Sequence, residues 1–339
     1  MTRPESSIYP SMNVLVAGGA GYIGSVTAAS LIAGGHRVIV LDNLSHGFLD
    51  AVHPEAQLVV GDISNARAVR EACRAGIDVA MHFAAFIEVG ESVSDPAKYY
   101  SNNVYKSIRF LDILMKCGVT RLVFSSTAAV YGEPERVPLT EDAPLCPVNP
   151  YGRTKRLIEQ VLADYDRAYS FRSVSLRYFN AGGALGDFGE DHRPESHLIP
   201  CILDAAIRGD AVSVYGDDYP TRDGSCIRDY IHVRDLADAH ILAARYLSEG
   251  GKTDAFNLGA GRGHTVLEVI RAAERIIGRS IRRAAAARRP GDPPSLVASA
   301  EKARRVLGWG DGLSDLDEII ESAYAWRLSH PGGYEARHD

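Results

Sequence analysis

Long apolar runs are missing from this chain, and so is any excess of basic charge. No stretch approaches the ~18 consecutive apolar residues of a membrane-spanning helix. The N-terminus carries no apolar leader core, so a cytoplasmic protein is expected. With 37 Lys and Arg against 43 Asp and Glu, the formal net charge is −6, which gives no overall attraction for nucleic acid or an anionic membrane. Cysteine is sparse: Cys73, Cys117, Cys146, Cys201 and Cys226 are scattered, with no Cys-x-x-Cys pair. Reduced thiols are therefore expected rather than a disulfide framework, and no metal site is expected. Repeats, low-complexity tracts and an interdomain linker are also absent. What is present is an ordinary apolar and charged content over 339 residues, enough for one large or two modest domains with an ample core. Residues 1–11, polar and proline-containing, are expected to form an N-terminal extension.

Past that extension, Asn13-Val-Leu-Val-Ala17 is a short apolar run, the pattern of a buried parallel strand. It leads into Gly18-Gly-Ala-Gly21-Tyr22-Ile23-Gly24, then a helix pattern over 25–33, then Arg37-Val-Ile-Val-Leu41 closing on Asp42-Asn43. Strand, glycine turn, helix, strand and terminal acid together point to a dinucleotide site. The glycines let a pyrophosphate approach a helix N-terminus, where unsatisfied N–H groups and the helix dipole favour anions. Asp42 is placed to accept from a ribose diol and to repel a 2′-phosphate, which favours NAD over NADP. The strand at 57–60 ends on Gly61-Asp62-Ile63. Asp62 has two readings, a bond to an adenine amino group or a helix cap for the segment starting at Ser64. The strand at 79–83 ends on Phe83-Ala84-Ala85, small residues that let a cofactor lie close, with His82 read as structural.

Residues 96–118 read as one helix containing Asn103, a buried amide that needs partners, which a cofactor could supply. A strand at 121–124 ends in Ser125-Ser126-Thr127, at the edge where parallel sheets bind ligands; turn chemistry is the plainer reading of these hydroxyls. Then comes Tyr151-Gly-Arg-Thr-Lys155 at the start of a helix. Tyrosine and lysine four residues apart share a helix face. An ammonium one turn away favours the phenolate, which makes the pair a candidate base for an alcohol proton. The strand at 173–178 ends with Tyr178.

This alternation predicts an α/β doubly wound parallel sheet of Rossmann type over 12–180, with 230–260 returning to it. A smaller C-terminal α/β domain is expected from 181–229 and 261–339. Residues 181–200 are a Gly-, Asp-, Glu- and His-rich loop of a length usually tied to function. The arginines of 282–289 have two readings, a solvated face or, with Arg228, a bidentate grip on a diphosphate.

The glycine turn with Ser/Thr and Tyr-x-x-x-Lys resembles the extended short-chain dehydrogenase/reductase family. Within that family, further stretches are similar to the UDP-glucose 4-epimerases, among them Glu88-Val-Gly-Glu-Ser92, Leu176-Arg-Tyr-Phe-Asn180, Ile227-Arg-Asp-Tyr-Ile-His-Val233 and Gly291-Asp292. The resemblance spans nearly all of the chain after Met12. It implies NAD regenerated at every turnover, Tyr151 as base, Lys155 on the nicotinamide ribose and Thr127 on the sugar 4-hydroxyl. It places Asn180, Arg228 and Arg289 on the substrate diphosphate, Asp292 on the uridine ribose, and Tyr215 and Leu198 beside the uracil. It also implies a homodimer. His197 stands where relatives have Asn, which bears on a diphosphate contact, and Leu296 stands where side-chain size beside the sugar varies. A 4,6-dehydratase would need carboxylates directly after Thr127, where this chain has Ala128-Ala129. Epimerases of other UDP-sugars (UDP-N-acetylglucosamine, UDP-glucuronate, UDP-arabinose) and a non-catalytic NAD-binding regulator remain as alternatives.

Overall fold

The computed structural model describes residues 10–289 and 292–334, so most of the expected N-terminal extension lies outside the described residues. The first half alternates strongly. It runs β1 (Asn13–Ala17), α1 (Tyr22–Ala33), β2 (Arg37–Asp42), β3 (Gln57–Val60), α2 (Ala66–Ala72), β4 (Val79–His82), α3 (Val89–Ser94), α4 (Pro96–Tyr99), α5 (Ser107–Lys116), β5 (Arg121–Ser125), α6 (Pro150–Tyr169) and β6 (Arg172–Tyr178). The second half is more broken. It runs β7 (Asn180–Gly182), α7 (Leu198–Arg208), β8 (Ala211–Tyr215), β9 (Ile227–His232), α8 (Val233–Ser248), β10 (Asp254–Leu258), β11 (Gly263–Thr265), α9 (Val266–Ile277), β12 (Arg282–Ala286), β13 (Ser295–Leu296), α10 (Glu301–Leu307) and α11 (Leu316–Ser329).

The main sheet has the order β10-β6-β5-β4-β1-β2-β3, with every neighbouring pair parallel. The expected doubly wound α/β fold is therefore present, and the strand order reverses between β1 and β4, the position where such sheets bind ligands. Helices cover both faces. Leu31 of α1 and Leu236, Ala243 and Leu247 of α8 pack on one side. Val69 of α2, Phe110 and Leu114 of α5 and Ile158 and Leu162 of α6 pack on the other. This double burial explains why the strands read as continuous apolar runs.

The remaining strands form smaller sheets. β9 pairs with β7, β11 and β13, and β8 pairs with β12. Helices α7, α9 and α11 close a separate core around Ile202, Val269, Ile270 and Ile319. Capping boxes start α9 (Thr265 with Glu268) and α11 (Asp315 with Glu318), satisfying N–H groups that would otherwise lack partners. Asp229 in β9 accepts from the backbone N–H groups of Ala260, Gly261 and Ala298, fastening the turn after β10 to the segment after β13. Burial still holds its carboxyl up, to about 6, against those hydrogen bonds. Among the described residues, no helix is long and apolar enough to cross a membrane.

The helix expected over 96–118 is not one regular element. Residues Tyr100–Lys106 form a π-helical segment between α4 and α5. The wider turn brings Asn103 round to face Phe86 and α6, and π segments of this kind gather at functional sites.

Phe256 is fully buried in β10, packed among the residues that join α8, α10 and the sheet. Phe256→Ala is expected to lower unfolding free energy by about 3–5 kcal/mol, the range for truncating a buried aromatic. Urea denaturation followed by circular dichroism measures this, and a loss under 1 kcal/mol would contradict the packing of β10 in the main core.

Candidate active site

The glycine turn follows from close approach. Gly18 has φ +83°, and a Cβ there would lie 2.5 Å from the Ala84 nitrogen. A Cβ on Gly24 would lie 2.2 Å from the Gly18 oxygen. At Gly21 a Cβ would meet nothing nearer than Gly18 O at 3.5 Å, so this position opens outward. Gly21 also begins α1, and no side chain caps that helix. A glycine cradle at an uncapped helix N-terminus, at the reversal of strand order, fits a pyrophosphate.

Asp42 is buried at the end of β2. Its Oδ2 accepts from Ala20 N (3.0 Å) and its Oδ1 from Leu44 N (2.8 Å), so it also holds the turn in shape. Asn43 donates to Asp62. Asp62 accepts from Lys106 Nζ at 2.7 Å and from the Ser64 N–H and hydroxyl. Burial pushes the Asp62 carboxyl up, but the hydrogen bonds from Lys106 and Ser64 outweigh it and the net shift is downward. The helix-cap reading of Asp62 does not hold: Asn65 caps α2, and Asp62 closes a local turn on Ser64. Ile63 is buried in the core with Val69. Phe83 lies on the His240 ring, and the Phe83 and Ala84 N–H groups both donate to Ala17 O. Ala85 follows in the same short stretch after β4. His82 is structural as expected, buried and bonded to Ser107 Oγ at 2.8 Å.

Asn103 is buried, but its partners are protein groups. It accepts from Phe86 N and donates to Phe86 O and Thr154 Oγ1. These bonds satisfy the amide within the protein, so a cofactor is not required as its partner. Its position instead braces α6 from the side.

Helix α6 carries the centre of the site. Asn149 caps it by accepting from Gly152 N at 2.9 Å, and Pro150 sits in its first turn. Gly152 is needed because a Cβ there would lie 2.6 Å from Ala129 O. Tyr151, Lys155 and Glu159 follow at four-residue intervals on one face. The three residues after the body of β5 address them in turn. Ser125 O accepts from Lys155 Nζ at 2.7 Å, Ser126 Oγ donates to Glu159 at 2.7 Å, and Thr127 hydrogen-bonds the Tyr151 phenol. Ser125 Oγ also bonds the Tyr178 hydroxyl.

The electrostatics differ from the expectation. Burial pushes the Tyr151 phenol up to about 12, the Thr127 bond opposes this, and the charge of Glu88 adds to it. Burial also lowers Lys155 to about 7, partly offset by Glu159. Lys155 Nζ stands 6.0 Å from the Tyr151 ring centroid. The ammonium alone therefore does not prime the phenol, because burial acts on both groups against their charged forms.

Several supporting residues were not singled out from sequence. Arg177 in β6 grips Glu159 with two bonds of 2.8 and 2.9 Å and donates to the Tyr131 hydroxyl at 3.0 Å. Tyr131 in turn donates to Asn257 Oδ1 at 2.6 Å. An arginine inside a strand expected in the buried parallel sheet was the available signal, since a buried charge requires a buried partner. Glu88, from a stretch quoted only for its resemblance, accepts from Ser196 Oγ at 2.6 Å and acts electrostatically on Tyr151.

The expected substrate residues divide among separate contacts. Arg228 is buried in β9 and pairs with Asp292. Arg289 lies over the Tyr215 ring, 4.0 Å from its centroid. The side chains of the two arginines are thus held by different partners, and the Arg289 carbonyl accepts from the Asp292 N–H at 3.2 Å. Leu198 opens α7, and Asn180 opens β7 opposite Tyr230. Leu296 in β13 stands opposite Arg228 and packs near Phe179 and Ala128. His197 turns its Nδ1 toward Glu190 (2.9 Å) and Glu195 (3.1 Å). Burial opposes its protonation, but the two carboxylates win and raise its pKa well above the usual value.

Lys155 titrates in the folded chain near 7 and near 10.5 when exposed. Below pH 7 both states carry the proton and the folded state bears the full cost of burying it. As pH rises from 7 toward 10.5 only the unfolded state stays charged, so the cost fades. Lys155→Met in the cofactor-free chain is therefore expected to melt higher than the parent at pH 6, with the gap closing by pH 10. Differential scanning calorimetry across pH reads this, and a gap that widens with pH would contradict it.

The family model described as the NAD dependent epimerase/dehydratase family matches residues 14–259. A UDP-glucose 4-epimerase of Lacticaseibacillus casei is 48% identical over 330 residues, covering 96% of this chain and 100% of that protein. The crystal structure of the UDP-glucose 4-epimerase from Brucella ovis in complex with NAD is 48% identical, with a TM-score of 0.90 over 96% of this chain and 100% of that one. That of the Bifidobacterium longum enzyme in complex with NAD+ and UDP is 38% identical, with a TM-score of 0.89 over 95% and 100%. With the family model matched over residues 14–259 and full-length similarity to these relatives, the chain belongs to the NAD dependent epimerase/dehydratase family.

Proposed function

We propose that this protein interconverts UDP-glucose and UDP-galactose, using bound NAD to oxidise and re-reduce C4 of the sugar. The observation that carries this reading is Tyr151 and Lys155 on one face of α6, with Thr127 and Ser125 of the turn after β5 against them, at the same edge of the parallel sheet as the glycine cradle. Full-length similarity to UDP-glucose 4-epimerases supports it. Bound NAD supplies a positive ring that favours the phenolate and an acceptor for the C4 hydrogen that later returns it.

Every other part is assigned to the chain itself. Gly18, Gly21, Tyr22, Ile23 and Gly24 hold the pyrophosphate, Asp42 and Asn43 the adenosine ribose, and Asp62 and Ile63 the adenine end. Phe83, Ala84, Ala85, Ser125 and Tyr178 line the space toward the nicotinamide. Lys155, fixed by Ser125 O, faces the nicotinamide ribose. Thr127 aligns the sugar 4-hydroxyl, and Tyr151 takes its proton during oxidation and returns it during reduction. The 4-keto sugar must present both faces, so binding energy belongs on the nucleotide and diphosphate. Asn180, Arg228, Arg289 and Asp292 are assigned there, with Leu198 and Tyr215 at the base. Ala128 and Ala129 leave no carboxylate for the C5 and C6 chemistry of a dehydratase.

A reducing, cytoplasmic setting suits five free cysteines. Two copies are proposed to associate through α5 and α6. Tyr105, Leu157 and Tyr169 stand 61%, 38% and 60% exposed on or beside these neighbouring helices. Light scattering after gel filtration should give twice the chain mass, and Leu157→Glu should give the monomer; a monomeric parent would refute the assembly.

Incubation with UDP-galactose should yield UDP-glucose. Tyr151→Phe should lower kcat by about a hundred- to ten-thousand-fold while NAD stays bound, as read by nucleotide chromatography. Turnover near the parent rate would remove Tyr151 from its role. A panel including UDP-N-acetylgalactosamine and UDP-xylose separates this substrate from the alternatives.

A further inference from the structure

Residues 190–197 bring two carboxylates and two imidazoles to one point. Glu190 Oε1 lies 3.1 Å from His192 Nδ1 and 2.9 Å from His197 Nδ1. Glu195 Oε1 lies 3.1 Å from His197 Nδ1, and its Oε2 lies 4.0 Å from His192 Nδ1. One ligand atom from each of the four residues lies within 4.8 Å of the other three. Hydrogen bonding explains this arrangement poorly. Two ring nitrogens converge on the same oxygen of Glu190, and Glu195 Oε2 is buried without a hydrogen-bond partner.

Coordination explains all four positions. Bonds of about 2.0–2.2 Å from a tetrahedral ion to nitrogen and oxygen imply ligand–ligand edges of about 3.3–3.6 Å, and the separations above bracket that range. We propose that Glu190, His192, Glu195 and His197 bind one divalent transition-metal ion of the zinc type. Mixed imidazole and carboxylate donors suit such an ion better than magnesium or calcium, which favour all-oxygen shells. Two carboxylates, two neutral imidazoles and a divalent cation sum to zero charge, the state a buried cluster favours.

Four protein ligands fill a tetrahedral shell, so the ion is structural and takes no part in the sugar chemistry. Its effect is on the loop between β7 and α7. Asp191 and Arg193 alternate with the ligands and face the other way, bonding the backbone of Tyr334 at 2.9 and 2.8 Å. On the ligand side, the His192 ring meets Tyr22 of α1, 6.4 Å between centroids. The ion thus pins the loop against α1 while its other side holds the C-terminal stretch. Ser196, between two ligands, is the residue that reaches Glu88 beside Tyr151. The sequence suggested no metal because the ligand pattern, Glu-x-His-x-x-Glu-x-His, has neither cysteines nor a helical repeat.

The test uses the untagged full-length protein with its NAD retained, stripped with dipicolinate and titrated with Co2+. One equivalent should bind and give the ligand-field bands of a four-coordinate nitrogen and oxygen site. Zn2+ should bleach them, and Mg2+ should not. Glu195→Gln and His192→Gln, checked for parent-like circular dichroism, should lose stoichiometric binding, and Zn2+ should raise the melting temperature of the parent but not of these variants. Absence of stoichiometric Co2+ and Zn2+ binding by the parent overturns the proposal without reference to any variant. So does binding that both variants retain, or a thiolate charge-transfer band that places the ion on a cysteine.

Discussion

The buried ion pair between Glu159 and Arg177 fixes helix α6 on the sheet, and the geometry of the site depends on it. Both side chains are about 5% exposed, and the guanidinium meets the carboxylate through two bonds. Such a pair adds little net stability, because both ions lose their hydration. Its effect is on position. Glu159 also accepts from Ser126, and Arg177 continues through Tyr131 to Asn257 in β10. One network therefore ties the end of β5, the middle of α6, β6 and β10. Removing either ion would strand the other in the interior at a cost of about 3–5 kcal/mol. The helix cannot slide by a turn without breaking every member of the network.

That constraint sets the register of the active groups. Ser125, Ser126 and Thr127 are consecutive, and they engage Lys155, Glu159 and Tyr151, which are spaced by single helical turns. Glu159 lies one turn beyond Lys155 and two beyond Tyr151, so anchoring it fixes the register of the other two. The polar groups are placed by the protein's own hydrogen bonds, the fixed arrangement that electrostatic catalysis requires. The same burial works against them in the cofactor-free chain, raising the phenol and lowering the ammonium. A cation held beside Tyr151 would favour the phenolate, and base strength would then depend on cofactor occupancy.

Much of this was legible in the sequence because it was local. The glycine turn, Asp42 and the pair Tyr151 and Lys155 each lie within one strand–helix or helix-turn unit, where spacing alone places side chains on a common face. The doubly wound sheet was legible for the same reason, through apolar runs that alternate with helical patterns. What was hidden depends on pairings between distant elements. Arg177 finds Glu159 across the boundary between β6 and α6, and Asn103 finds Phe86 and Thr154 only because a π segment turns it inward. Of the two readings of Asp62, the cap is excluded because Asn65, three residues on, caps α2. No periodicity distinguishes these outcomes, since each is chosen by which polar partner is already buried nearby.

The substrate side is built on the opposite principle, with charges held by partners they can leave. Arg228 is paired with Asp292, which is one-third exposed at its side chain, and Arg289 rests on an exposed tyrosine ring. In the proposed substrate mode, a diphosphate on Arg228 would compete with Asp292, and a freed carboxylate would offer an acceptor for ribose hydroxyls. The exchange keeps the buried guanidinium neutralised in both states, so its desolvation cost is not incurred anew on binding. Arg289 gives up only a cation–π contact, which is worth little at an exposed site. A fixed Tyr151 on α6 together with adjustable arginines would suit the proposed reaction, in which the nucleotide must be gripped while the sugar stays free to turn.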